Sequence, residues 1–352
     1  MNRHVFSTGN SRLYATAILT VLAVMPAGAA PVDLKGKTVT IYVAGGAGGG
    51  VDAYARILSP FLSKYLPGQP AMKVANMPGG GGVQAVQYIY NIAPKNGTAI
   101  GTTNAGPVAQ PLMEKQLKTA YDLRKLNWIG SVAKGNTVCA TWHTSPVKTL
   151  KDAQTRQAVI GTTGIRSAPT RSALLMNSTL KTQFKPISGY NGGSLLIALE
   201  SGEIDGVCTT LNSLRTTRPQ WLRDKKLNIL FHVAVRKDKE YESIPSAYEH
   251  MDAKQKKMLE FFLTPYEFNN PYYLPPGVAP EIVKAHRDAF DKAMQDKAYR
   301  ADAARRKQDI DVETGASVQK MVMQMFATPQ DIIDATIAAV NPKGRVTSRA
   351  KK

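Results

Sequence analysis

Two periodicities alternate along the chain. Val39 to Val43, Met72 to Ala75 and Ala99 to Thr103 are short, largely apolar runs that read as strands. Helical patterns lie between them. In Asp52 to Tyr65 the apolar positions Tyr54, Ile57, Leu58, Phe61 and Leu62 share one face, and Leu66-Pro67-Gly68-Gln69-Pro70 stops the helix. Val83 to Asn91 reads as a second helix and Pro94-Lys95-Asn96-Gly97 as a turn. Strand and helix alternating with short strand-to-helix loops predict an α/β fold with a mostly parallel sheet. Such sheets take ligands outside the carboxyl ends of their strands.

A second unit begins near Trp128-Ile129-Gly130-Ser131 and repeats this logic. Val138 to Trp142, Ala158 to Ile160, Phe184 to Ile187, Gly206 to Thr209 and Leu227 to Val235 read as strands. Leu150 to Gln154, a segment ending near Leu180, and Leu195 to Ser201 read as helices. Helical spacing returns over Tyr248 to Leu263, Pro280 to Met294, Tyr299 to Arg306 and Ser317 to Phe326. Tyr272 to Leu274 reads as a strand entering the turn Pro275-Pro276-Gly277. It lies in a loop-rich stretch from Leu263 to Pro276 that the pattern does not place.

The loops after these strands carry the candidate chemistry. Gly45-Gly46-Ala47-Gly48-Gly49-Gly50 follows the first strand and opens a helix, an arrangement that offers backbone N–H groups to an anion. Gly48-x-Gly50-x-x-Ala53 matches a loose dinucleotide fingerprint, but the second strand ends in Asn76 instead of the acid that would hold a ribose. No phosphate-loop motif is present. Gly79 to Gly82 follow the second strand and Asn104 the third. In the second unit Thr162, Thr163, Gly164, Arg166 and Ser167 bring hydroxyls, N–H groups and a guanidinium to a helix start, which suits a carboxylate. Asp205 either faces the cleft or caps and solvates the chain before a strand. Asp52 is favourable at a helix start on dipole grounds alone.

No catalytic pattern accompanies these loops. Of five histidines, none sits in a glycine loop. There is no G-x-S-x-G elbow, no H-E-x-x-H, and no His/Cys/Asp spacing for a metal.

Composition adds an address. Arg3, His4 and Arg12 precede the short apolar run Thr16 to Met25 and the small-residue site Ala27-Gly28-Ala29. This reads as a secretory signal over residues 1–29, cut after Ala29, and the apolar run is too short to span a bilayer. Two cysteines, Cys139 and Cys208, in an exported protein suggest one disulfide. It would close a loop of about 70 residues, for which chain entropy gives roughly 4 kcal/mol. The formal charge is +19, and loss of Arg3 and Arg12 with the signal leaves about +17. The charges are scattered and no nucleic-acid motif accompanies them, so a field that attracts small anions fits better than nucleic-acid binding. The densest basic stretch, Lys343 to Lys352, reads as part of a disordered tail over residues 341–352.

An ordered set of motifs resembles the solute-binding proteins of tripartite tricarboxylate transporters, the Bug/TctC-like family. They are Gly48-Gly49-Gly50-Val51-Asp52-x-x-Ala55-Arg56, Pro67-Gly68-x-Pro70, Asn76-Met77-Pro78-Gly79-Gly80-Gly81-Gly82 and Ala93-Pro94-Lys95-Asn96-Gly97-Thr98. Gly161-Thr162-Thr163-Gly164, Gly189-Tyr190-x-Gly192-Gly193, Gly202-Glu203-x-Asp205-Gly206 and Pro275-Pro276-Gly277-Val278 follow in family order. The resemblance implies a two-lobed type II periplasmic binding protein, a monomer without a cofactor. It captures a small organic anion such as a di- or tricarboxylate and delivers it to membrane permease subunits. By the same resemblance Ala47, Gly48, Gly49 and Gly50 hold the ligand from lobe one, and Thr162, Thr163, Gly164 and Ser167 from lobe two. Asn104 lines the cleft and Asp205 meets the ligand's distal end. The chain departs from the family in lacking a proline in the first loop, in Gly-Thr-Thr where Gly-Ser is common, and in Arg166 and the cysteine pair. Arg166 is therefore expected to favour a second carboxylate or to restrict the pocket.

Lobe one is expected over 32–132 plus 244–340 and lobe two over 133–243, with hinges near Ala133 and Ser243. Two other readings stay open: a sensory binding protein that presents the same ligand to a receptor kinase, and an exported hydrolase.

Overall fold

The computed structural model describes residues 1, 32–114, 120–135, 137–165, 167–190, 192–235, 242–341 and 343–348. The expected signal segment beyond Met1, Arg166, and the basic tail past Ser348 lie outside the described residues. Strands run in chain order as β1 (Thr38–Val43), β2 (Ala71–Asn76), β3 (Ala99–Thr102), β4 (Asn127–Ala133), β5 (Thr137–Trp142), β6 (Gln157–Thr162), β7 (Gln183–Ser188), β8 (Gly206–Thr210), β9 (Leu227–Val233), β10 (Asn269–Leu274), β11 (Glu313–Thr314) and β12 (Thr347–Ser348). The helices are α1 (Gly50–Tyr65), α2 (Val83–Asn91), α3 (Ala105–Met113), α4 (Leu150–Thr155), α5 (Ala168–Thr179), α6 (Gly192–Glu200), α7 (Leu211–Thr217), α8 (Pro219–Arg223), α9 (Ala253–Glu267), α10 (Pro280–Gln295), α11 (Lys297–Arg305), α12 (Gly315–Phe326) and α13 (Gln330–Ala339).

These strands form two six-stranded sheets, ordered β11-β4-β10-β3-β1-β2 and β12-β7-β6-β8-β5-β9. In the first, β1 pairs in parallel with β2 and β3, and β10 runs antiparallel between β3 and β4, so β4 points the same way as the triplet. In the second, β6 pairs in parallel with β7 and β8, and β5 runs antiparallel between β8 and β9, so β9 points the same way as the triplet. The parallel triplets are the crossover units that the alternation of periods predicts. Trp128 to Ser131, read from the sequence as the start of the second unit, belongs to β4 of the first sheet.

Helices pack on the sheets, and the inner strands β3, β4 and β10 are buried on both sides along nearly their whole length. One core packs Ile41, Ile100 and Tyr272 against Leu58 of α1 and Phe290 of α10. A second lies between the second sheet and α6 to α8 around Leu199, Val207 and Trp221. The third runs on from the α2–α3 side of the first sheet through α9, α12 and α13 to α5. Accordingly α13 packs on both α9 and α5.

Two expectations are corrected. The stretch Leu263 to Pro276 holds the end of α9 and the strand β10, which lies between β4 and β3. Pro271 disguises it, yet is tolerated because β10 meets β3 only through Tyr272 and Tyr273, leaving Pro271 paired on the β4 side alone. The tail is also ordered further than its composition suggests. The Arg345 guanidinium donates to the carbonyls of Ala338, Ala339 and Asn341 at the end of α13, and Thr347 and Ser348 pair in parallel with Ile187 and Ser188.

Cys139 and Cys208 sit directly opposite each other on β5 and β8 and form the expected disulfide. The chain crosses from the first sheet to the second at Lys134 and Gly135. There Lys134 Nζ lies 3.1 Å from Asp311 and 3.3 Å from Glu313, and the Gly135 N–H donates to the Tyr266 carbonyl at 2.8 Å.

Candidate functional site

Because β1, β2 and β3 are parallel, their carboxyl ends share one edge. The loop after β1 is exposed from Gly46 to Gly50. Gly48 takes φ +76°, a conformation that glycine adopts without strain. A methyl group added at Gly46, Gly48 or Gly50 would meet nothing within 4 Å, so the space above the loop is open. Gly49 caps α1 and no side chain makes a capping hydrogen bond there. The opening N–H groups therefore stay available to an acceptor from outside.

What holds this loop is a buried acid. The Asp52 carboxylate accepts from the Gly48 N–H at 2.9 Å, Arg56 Nε at 2.9 Å and Asn76 Nδ2 at 2.9 Å. The Asn76 amide also donates to the Gly45 carbonyl at 3.2 Å and accepts from Arg56 at 3.1 Å. Burial pushes the Asp52 carboxyl up, but the hydrogen bonds from Arg56, Gly48 and Asn76 and the Arg56 charge outweigh it. The net effect holds Asp52 below the usual carboxylate range. The guanidinium thus balances a negative charge lodged behind a loop shaped for anions. From the sequence alone Asp52 has only a dipole role, and Asn76 only excludes a nucleotide. The i,i+4 spacing of Asp52 and Arg56 was the available signal for their pairing.

The neighbouring loops lock onto this one. A methyl group at Gly82 would come within 3.0 Å of Pro107 and 3.2 Å of Ala44, so the loops after β1, β2 and β3 touch there. Asn104 lies exposed at this edge. Its side chain accepts from the Gly106 N–H at 2.9 Å and caps α3.

The second sheet builds its edge from hydroxyls. Thr162 is buried, donates to the Ile187 carbonyl at 3.3 Å, and accepts from Thr170 Oγ1 at 2.8 Å. Thr170 also lies 2.7 Å from the Gly164 carbonyl and 3.1 Å from Ser167 Oγ. Ser167 caps α5 through its backbone alone. Thr162 therefore shapes the loop from beneath, whereas Thr163 is exposed on it, with Gly164 and Ser167 half-buried beside it. The Tyr190 N–H donates to the Thr162 carbonyl at 3.3 Å and ties in the loop after β7.

Asp205 is not brought to this edge. It immediately precedes β8, which is parallel to β6, so it lies at the opposite, amino edge of the sheet. Its carboxylate accepts from the Val159 N–H at 2.7 Å and serves the sheet. The sequence shows an acid before a strand, and only the strand's direction decides which edge that acid occupies. The two halves are joined one turn into α5, where Arg171 pairs with Glu114 at the end of α3.

A profile of the tripartite tricarboxylate transporter family receptor matches residues 54–337. The chain belongs to this receptor family. A curated relative of the receptor, a UPF0065 protein from Cupriavidus necator, is 27% identical over 319 residues, covering 87% of this chain and 89% of its own. Among solved structures, a TctC solute-binding protein from Polaromonas aligns with a TM-score of 0.67 at 18% identity, over 84% of this chain and 98% of that one. MatC of Rhodopseudomonas palustris, solved with bound malate, aligns with a TM-score of 0.59 at 19% identity, over 84% and 98% of the two chains. The shared fold is the two-lobed periplasmic binding-protein architecture. In this receptor no described helix is long and apolar enough to cross a membrane.

Proposed function

We propose that this receptor captures a small organic carboxylate between the carboxyl edges of its two sheets and delivers it to a tripartite tricarboxylate-type permease. In this reading it works in the periplasm after removal of its signal segment, as a monomer, and performs no chemistry of its own. The observation that carries the reading is the open, uncapped start of α1 beneath Ala47 to Gly50, with its loop fixed by Asp52 and the Asp52 charge balanced by Arg56. Preorganised N–H groups bind a carboxylate well because no ordering is left to be done when the ligand arrives. Thr163, Gly164 and Ser167 meet the ligand from the second half, with Asn104 at the rim, and Arg166 selects for a second carboxylate. The halves, 32–132 with 244–340 and 133–243, close about hinges near Ala133 and Ser243. Malate in MatC supports the ligand class, and the positive charge of the chain supports an anion.

Thermal unfolding of the mature protein against a panel of mono-, di- and tricarboxylates tests this. At least one acid should raise the melting temperature in a concentration-dependent way. No shift across the whole panel would overturn the proposal.

A further inference from the structure

Five described non-glycine residues have positive φ: Gln69, Lys181, Lys225, Asn270 and Lys307. Four of them are exposed in turns or near helix ends. Asn270 alone is buried, at 4% exposure, and it lies inside a strand with φ +56°. The residue before a proline is normally pushed toward extended backbone, and Pro271 follows. Asparagine tolerates the left-handed region better than most residues, but the conformation still costs energy and must be held. Its flanks hold it: Asn269 pairs with Ala133 and Pro271 with Ser131, and Ser131 Oγ donates to the Asn269 carbonyl at 2.7 Å.

The register gives this strain a location. β10 runs antiparallel to β3 with Tyr272 opposite Thr102. The start of β10 therefore lies at the edge where β3 ends in Thr103 and Asn104, which is the carboxyl edge that carries the glycine loop. The Ala44 N–H donates to the Thr102 carbonyl at 2.9 Å and places that loop alongside. The Asn270 side chain makes no hydrogen bond to a described residue, and its amide still reaches solvent. The buried Thr103 hydroxyl also lacks one. A side chain this buried, with an unbonded amide that keeps an open face at the loop edge, is placed to meet an acceptor or donor from outside the chain.

We infer that Asn270 is a specificity-determining residue of the cleft, reading an uncharged oxygen, a hydroxyl or carbonyl, carried on the chain of the bound acid. This rests on the carboxylate-receptor reading. An amide supplies two donors and an acceptor without charge, which suits such an oxygen better than a second carboxylate. Among the described residues, the cations near this edge of the first sheet are already paired, Arg56 with Asp52 and Lys134 with Asp311 and Glu313. A site built to hydrogen-bond an oxygen discriminates against the ligand that lacks it.

The test is calorimetric titration with two matched pairs, malate against succinate and 2-oxoglutarate against glutarate. The wild-type protein should favour the oxygenated member of at least one pair by about tenfold. Asn270→Gly keeps the left-handed backbone without strain and removes the amide. It should unfold at or above the wild-type temperature, bind the plain diacid as before, and lose the preference. Asn270→Asp should weaken every acid by placing a negative charge at the edge. Wild-type binding of carboxylates without preference in either pair, or a preference that survives in Asn270→Gly, would overturn the inference and leave the receptor reading standing. Failure of the wild-type protein to bind any acid would instead remove the receptor reading, and this inference with it.

Discussion

The two sheets repeat one plan in different chemistry. β2-β1-β3 and β7-β6-β8 are the same parallel triplet, each followed by an antiparallel strand, β10 or β5, and then by β4 or β9. Both triplets open into a small-residue loop and a helix that no side chain caps. The first half secures its loop with charge, through Asp52, Arg56 and Asn76. The second secures its loop with the neutral hydroxyls of Thr162, Ser167 and Thr170, and staples the sheet behind it with Cys139–Cys208. The same place in a fold can thus be fixed by ionic or neutral bonds. The two solutions differ in what breaks them, since only the first titrates.

The largest difference should come from the staple. The disulfide spans a sequence separation of 69, and for a loop of that size the chain-entropy model gives about 4 kcal/mol. The double variant Cys139→Ala/Cys208→Ala is expected to lose stability of that order in denaturant titration. Hydrogen exchange should rise first in β5, β8 and β9, with the first sheet little changed at the outset. Equal loss of protection in both sheets would mean that the halves unfold as one unit.

Acid should reverse the order of failure. His286 on α10 is fully buried beside the Gly97 turn, and burial pushes its pKa down to about 4. A histidine depressed in the folded state takes up protons more readily when unfolded. Its contribution is complete above the ordinary value near 6.5 and is lost as pH falls from there to about 4. The full swing is about 3 kcal/mol at most. His286→Leu should flatten the stability profile between those limits, and exchange in wild type should rise in α10 before the second sheet. A wild-type stability that stays constant across the interval would show that His286 is protonated at no cost.

Much of this was legible in the sequence because the strands are short, apolar and punctuated by glycine. Both parallel triplets, α1 and α2 fall where the periodicity places them. What could not be read depends on register. Asn269-Asn270-Pro271 looks like a loop, and it becomes the start of a strand within the sheet because β4 supplies partners on one side. Asp205 looked like a ligand contact until the direction of β8 put it at the other edge. Asp52 and Asn76 are far apart in sequence and meet only because β2 lies beside β1, with Val43 opposite Asn76. The disulfide was within reach of counting, since two cysteines leave one possible pair.

The finest comparison is between the two loop fasteners. Asp52→Ala removes the acceptor for Gly48, Arg56 and Asn76 together, and should cost about 2 kcal/mol of stability because hydrogen bonds to a charged group are the stronger kind. It should also weaken carboxylate binding, since the loop loses its fixed shape. Thr170→Val removes one hydroxyl from the neutral web and should cost about 1 kcal/mol. The pH dependence separates them further. Asp52 is held below its ordinary pKa, so its contribution is present above the unfolded value of 3.8 and is lost as pH falls through the lower folded value. The wild-type protein should therefore lose stability over that acid range in a way that Asp52→Ala does not, while Thr170→Val should track wild type at a constant offset. If Asp52→Ala and wild type keep a constant difference down to the lowest pH at which the fold survives, the fastening of the first loop is not ionic, and the contrast between the two halves reduces to the disulfide alone.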